Sequence, residues 1–250
     1  DALPICAECA QHLLNWLQPQ AFDMRWERRL DTEHGLHVFD HSTSHTPILL
    51  PFAREHHVCG TCKLTDLIVT WMQEQSMCTA LMTVPPCICL TIDRFHQTGC
   101  GTIERNVSGI DLEAEVEIPV FTTGLECDML GYIVVAAIAH LGQDRSGHCR
   151  ALLKIQPGVT TAAQPIAWLL TDNEQKPAPV WQIPAWFQTH ATVVWAVRTD
   201  CLRLPLYQPE NGTSSEPSNT NDASHVDPVT APETALIHLL QAQPGVGTEE

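Results

Sequence analysis

Gly147, His148 and Cys149 stand together at the head of an apolar run, "SGHCRALL", and a second short apolar segment, "WLLTDN", ends in Asp172 and Asn173. Histidine's ordinary pKa, about 6.5, allows it to act as base or acid near neutral pH. Read as a strand beginning at His148, the chain turns His148, Arg150 and Leu152 to one side and Cys149, Ala151 and Leu153 to the other. Cys149 is therefore not the thiol that His148 would activate. Gly147 is expected to leave open backbone space before the histidine. If the strands of His148 and Trp168 are antiparallel neighbours, the start of one lies beside the end of the other, and Asp172 reaches the imidazole. A carboxylate that fixes the tautomer and orientation of an imidazole is part of the machinery of nucleophilic hydrolases. A surface histidine beside a turn aspartate has the same spacing, so the pattern by itself leaves both readings open.

Eleven cysteines raise a second chemistry. Cys6-x-x-Cys9 and Cys59-x-x-Cys62 could together form a tetrahedral zinc site if each pair sat on a knuckle turn. Gly60, His56 and His57 suit such a turn, whereas Cys6 and Cys9 fall within an apolar helical stripe, so structural zinc and free thiols both stay open. Cys78, Cys87, Cys89 and Cys127 read as apolar strand or core residues rather than reactive thiols. His12, His34, His37, His41 and His45 have no spacing that compels a metal. No cofactor is expected.

The elements that must position these residues follow from periodicity. Cys6, Leu13, Leu14 and Leu17 mark an amphipathic helix over about residues 3–17. "GLHVFD" and "TPILLPF" read as short strands in a loop-rich section. Leu64, Leu67, Ile68, Trp71, Met72, Cys78 and Leu81 predict a helix that runs to the Pro85-Pro86 stop. Beyond it the period changes to two: "CICLTIDRF", "LEAEVEIPVF", "YIVVAAIAHL", "HCRALLKI", "IAWLL" and "TVVWAVR" are read as strands. Helical elements followed by a mainly antiparallel β-sheet region predict an α+β fold over residues 1–206. Residues 207–250 are too polar to offset the entropy of ordering and are expected to be disordered, with a short amphipathic helix at 231–241.

Thirteen basic against 29 acidic side chains give a net charge of −16, which repels a phosphate backbone or an anionic bilayer surface, so neither nucleic acid nor membrane is an expected partner. No apolar run approaches the ~20 residues needed to span a bilayer. The N-terminus lacks the pattern of a secretion signal, which predicts an intracellular protein, cytoplasmic or nuclear, with reduced thiols; the Asn106 and Asn211 sequons are then chance matches. The chain begins with Asp1 rather than Met, the mark expected of a fragment or processed product.

The run "GYIVVAAIAHLGQDRSGHCRALL" followed by "WLLTDN" resembles the C-terminal half of the catalytic domain of ubiquitin-specific proteases, the papain-like cysteine peptidases that remove ubiquitin. Tyr132, His140, Gly142, Gly147, His148, Trp168, Asp172 and Asn173 match that pattern in order, and "PPCICLTIDRF" matches an upstream segment ending in Arg94 and Phe95. The likeness covers roughly residues 60–200. It implies thiol-dependent hydrolysis of the bond after ubiquitin's C-terminal glycine, with His148 as base, Asp172 as its orienting carboxylate, Asn173 as a supporting polar group, and ubiquitin and ubiquitinated proteins as partners.

The family's Gly-Asn-x-Cys-Tyr nucleophile box does not occur in these 250 residues, and Cys149 stands where the family usually has an aromatic residue. Two rival readings follow: a catalytically inactive ubiquitin-binding or scaffold module of the same fold, and a zinc-stabilised interaction domain.

Overall fold

The computed structural model describes residues 10, 12–14, 20–52, 60–73, 77–97, 101, 103–143, 146–155, 168–172 and 175–203. The chain divides into two units, Asp1–Arg203 and Leu204–Glu250. The second unit, with the tail and the 231–241 helix expected there, lies outside the described residues. So does nearly all of the helix expected at residues 3–17, of which Ala10 and residues 12–14 are described and helical.

The first unit is built on one large sheet. The unit's described strands are β1 (Trp26–Thr32), β2 (Gly35–His41), β3 (Ile48–Pro51), β4 (Thr61–Lys63), β5 (Cys78–Leu81), β6 (Cys87–Asp93), β7 (Phe95–Gln97), β8 (Ile103–Arg105), β9 (Gly109–Asp111), β10 (Val116–Phe121), β11 (Cys127–Gln143), β12 (Ser146–Lys154), β13 (Trp168–Asp172), β14 (Gln175–Val180) and β15 (Ala191–Arg198); β4 with β9 and β7 with β8 form separate two-stranded sheets. Besides the helical residues near Ala10, two complete α-helices are described, α1 (Leu64–Met72) and α2 (Ala185–His190). Among the described residues, no helix is long and apolar enough to cross a membrane.

β11 organises the sheet. One edge pairs with β10 over its first part and with β12 over its last, while the other edge pairs with β15, which leads on to β6 and β3. From β12 the sheet continues through β13 to β14, and from β10 through β5 and β1 to β2. Most pairings are antiparallel; β3–β6, β5–β10 and β4–β9 are parallel. Strands buried on both faces carry near-continuous apolar runs, as Cys87–Ile92 does in β6.

The helix expected to run from Leu64 to the proline pair ends at Met72. Its apolar face, Leu64, Leu67, Ile68 and Trp71, is buried, and the Trp71 ring meets Trp26 edge-on at 6.2 Å. The Asp66 carboxylate accepts the Lys63 backbone N–H, which satisfies a donor at the helix start. Cys78–Leu81 instead pairs with Trp26–Arg29 of β1, so strand pairing overrides the helical spacing there. Similarly, the strand expected from Leu112 begins only at Val116; Leu112 is buried outside it.

Candidate active site

His148 lies on β12, and the expected alternation holds: the side chains of His148 and Arg150 both reach Asp172, which ends β13. β12 and β13 are antiparallel, with Lys154 opposite Trp168 and Ala151 opposite Thr171. That register carries Arg150 level with Asp172 and leaves His148 one pleat further on. Nε2 of His148 is 2.7 Å from Oδ1 of Asp172, and Nε of Arg150 is 2.9 Å from Oδ2. The Arg150 Nε–H is not aligned on that oxygen, so the second contact is an ion pair rather than a hydrogen bond. The carboxylate is only 10% exposed, against 38% for the His148 side chain and 31% for Arg150. A guarded carboxylate thus faces a more open imidazole. When Nε2–H donates to Asp172, Nδ1 keeps its lone pair and is able to accept a proton.

The strand ends that carry His148 are held from several sides. Gly142 opposes Gly147 in the β11–β12 ladder and has φ of 147°, a conformation that L side chains rarely adopt. Arg105 donates to the carbonyls of His140 (2.7 Å) and Gly142 (3.0 Å) and lies 5.6 Å from the Phe95 ring centre. Behind it, the buried Arg94 donates to the carbonyls of Ala191, Asn106, Ser108 and Gln188, which joins β15, α2 and the segment after β8. Burial, with Arg105 nearby, lowers the Arg94 pKa to about 9, so it stays charged at neutral pH. Gly147 is exposed, but a Cβ there would not face open space: it would meet the imidazole of the buried His140 and the backbone of β11. Tyr132, also buried, donates from its hydroxyl to the Pro85 carbonyl and ties β11 to the loop before β6.

Other expected site residues fall differently. Asn173 lies outside the described residues, as do Cys6, Cys9 and Cys59. Cys62 sits on β4 with its thiol near Asp66, and burial, then that carboxylate, push its pKa up to about 11. Burial likewise pushes Cys87 up to about 12, raises Cys89 further, and, together with Cys78, pushes Cys127 up to about 12. Each of these shifts is opposite to that of an activated thiolate. Among the described residues no group of three or more His, Cys, Asp or Glu side chains is arranged to hold a metal ion.

No protein-family model matches the chain. No curated protein matches it either. Among solved structures, the chain is similar to the SAGA Ubp8/Sgf11/Sus1/Sgf73 DUB module bound to ubiquitin aldehyde, with a TM-score of 0.52 and 12% identity over 72% of this chain and 42% of that one. The same module bound to monoubiquitin gives 0.52 and 12% over 72% and 41%. The Ubp8-Sgf11-Sgf73-Sus1 SAGA DUB module gives 0.51 and 13% over 72% and 40%. The chain shares its fold with part of a deubiquitinase. It spans about two-fifths of the length of these matched chains.

Sequence reasoning does not reach three residues of the site: Arg150, Arg105 and Trp186. Arg150 is legible as a neighbour of His148 on the same strand face, but its ion pair with Asp172 depends on the strand register. Trp186, whose ring lies 5.4 Å from the Arg150 guanidinium, comes from α2, a helix whose six residues are too short to signal a helical period.

Proposed function

We propose that this chain supplies the histidine–carboxylate half of a thiol-dependent deubiquitinase. The observation that carries the reading is the 2.7 Å contact between His148 Nε2 and Asp172 Oδ1. The similarity of the fold to a DUB module supports it. In this reading Asp172 holds the imidazole through Nε2, and Nδ1 takes the proton of a cysteine thiol contributed from outside these 250 residues. The thiolate attacks the carbonyl carbon of ubiquitin's C-terminal glycine. His148 then protonates the departing amine, leaving a thioester. Water attacks the thioester as His148 removes its proton, and ubiquitin leaves with a free carboxylate. Asn173 is the further polar group proposed for this site. The acidic chain suits ubiquitin's arginine-rich binding face, and the reading carries with it ubiquitinated proteins as substrates and a cytoplasmic or nuclear site of action.

The second reading is an inactive ubiquitin-binding module of the same fold, favoured by the raised pKa values of Cys62, Cys87 and Cys127. The deciding experiment uses the full-length product of the encoding locus. Turnover of a ubiquitin C-terminal amide is expected, with His148→Ala abolishing it and ubiquitin binding retained. Turnover unchanged in His148→Ala means that another group is the base. An absence of both turnover and labelling by a ubiquitin vinyl probe in the unmutated protein selects the binding module.

A further inference from the structure

We infer that Arg150 is a positioning residue of this site, anchoring the second oxygen of Asp172 so that the first is aimed at His148. The inference deepens the reading of His148 and Asp172 as a catalytic pair and rests on it for its functional meaning. Its geometric content stands separately.

Arg150 and His148 lie two residues apart on the same face of β12 and divide one carboxylate between them: Nε of Arg150 is 2.9 Å from Oδ2, and Nε2 of His148 is 2.7 Å from Oδ1. Asp172 is the last residue of β13, with its backbone paired to Gln175 of β14, and that pairing does not fix the orientation of its carboxylate. A side chain there needs anchoring by its own contacts. An imidazole bond alone leaves a carboxylate free to rotate about its last torsion and exchange its oxygens. A charge held against the other oxygen opposes that rotation.

Arg150 is itself fixed. Its guanidinium carbon lies 5.4 Å from the centre of the Trp186 ring, in the range where a cation is attracted to the aromatic face. Trp186 belongs to α2, whose Gln188 carbonyl is held by Arg94. The anchor of the carboxylate is therefore tied to the buried Arg94 network as well as to the strand that carries His148. The contact also has an electrostatic sense. Asp172 is almost covered, and burying a carboxylate is costly unless it is paired. A neutral imidazole supplies a hydrogen bond but no countercharge, and the guanidinium supplies the countercharge.

Arg150→Met keeps a long, flexible apolar stem and removes the charge; Arg150→Lys keeps the charge without the guanidinium's planar fork. In this 250-residue chain, nuclear magnetic resonance of the ¹⁵N-labelled imidazoles reads the Nε2–H proton of His148, with Asp172→Asn used to assign it. In Arg150→Met that proton is expected to exchange with water about ten-fold faster, the size expected for losing one contact to a charged group, with Arg150→Lys in between. In the full-length protein, Arg150→Met should lower kcat about ten-fold with KM unchanged.

Identical exchange in Arg150→Met and the unmutated chain overturns the inference, as does exchange faster only in proportion to a general loss of thermal stability. If Arg150→Met fails to fold, the same comparison in Arg150→Lys decides: unaltered exchange there overturns the inference. Faster exchange in an otherwise intact fold, with no turnover by the full-length protein, upholds the positioning role and sinks only the catalytic reading.

Discussion

The imidazole of His140 occupies the space in front of Gly147: a methyl group built on residue 147 would stand 2.6 Å from His140 Nε2 and 3.1 Å from Gly142 Cα, and would collide with the Leu141 carbonyl oxygen. The glycine before His148 is therefore required by close packing across the β11–β12 ladder, not by a need for open space.

Gly147→Ala should accordingly destabilise the protein by about 1–3 kcal/mol, as overpacking does. It should also push the start of β12 away from β11, taking His148 off Asp172. The His140→Ala background separates the causes: trimming the imidazole relieves part of the cost, while the collision with the Leu141 carbonyl persists. Urea midpoints of the four proteins measure this, and equal midpoints for Gly147→Ala and the unmutated chain refute it.

The His148–Asp172 contact is legible in the sequence and the surroundings of Gly147 are not, for a physical reason. β12 and β13 are short strands with two-residue alternation, and antiparallel pairing fixes which ends meet, so Asp172 can be brought to His148 on paper. The covering of Gly147 depends on which way His140 points across a ladder whose register no periodicity reveals. β1 escapes notice because its Arg and Glu side chains lie half-buried on both faces, which erases the alternation. Pro177 and Pro179 argue against a strand at β14; they are tolerated because β14 ends the sheet, where one side of the backbone needs no ladder partner. The helix beginning at Leu64 reads too long because Cys78 and Leu81 happen to continue its spacing. Arg94 is legible as part of a motif, but its role is not, since it donates to backbone carbonyls that every residue possesses.

That role makes Arg94 the most sensitive buried charge described. Its guanidinium donates to carbonyls from three separate segments at 2.6 to 3.0 Å. Arg94→Met removes all four of these bonds, at a cost of about 3–5 kcal/mol, the range for breaking a buried charged network. Arg94→Lys restores charge but presents its donors from a single nitrogen, so it should recover less than half of the loss. Chemical denaturation reads both values. A Lys variant as stable as the unmutated chain would mean that charge, rather than the fork, holds the segments.

The buried thiols predict a loss of stability in alkali. Burial raises Cys87 from its ordinary value of 9.0 to about 12 in the folded protein. Below pH 9 the thiol is protonated in both folded and unfolded chains and stability is independent of it. Between about 9 and 12 the unfolded chain gives up the proton and the folded chain keeps it, so unfolding is favoured progressively as pH rises, and the protonated thiol's contribution is lost through that window. One such group corresponds to about 1 kcal/mol between pH 8 and pH 10. The wholly buried Cys89 is shifted in the same direction. Urea midpoints at pH 8 and pH 10 should fall accordingly, and Cys87→Ala with Cys89→Ala, though less stable at pH 8 through lost packing, should flatten the fall. A pH slope unaltered by the double substitution would mean that other groups set it.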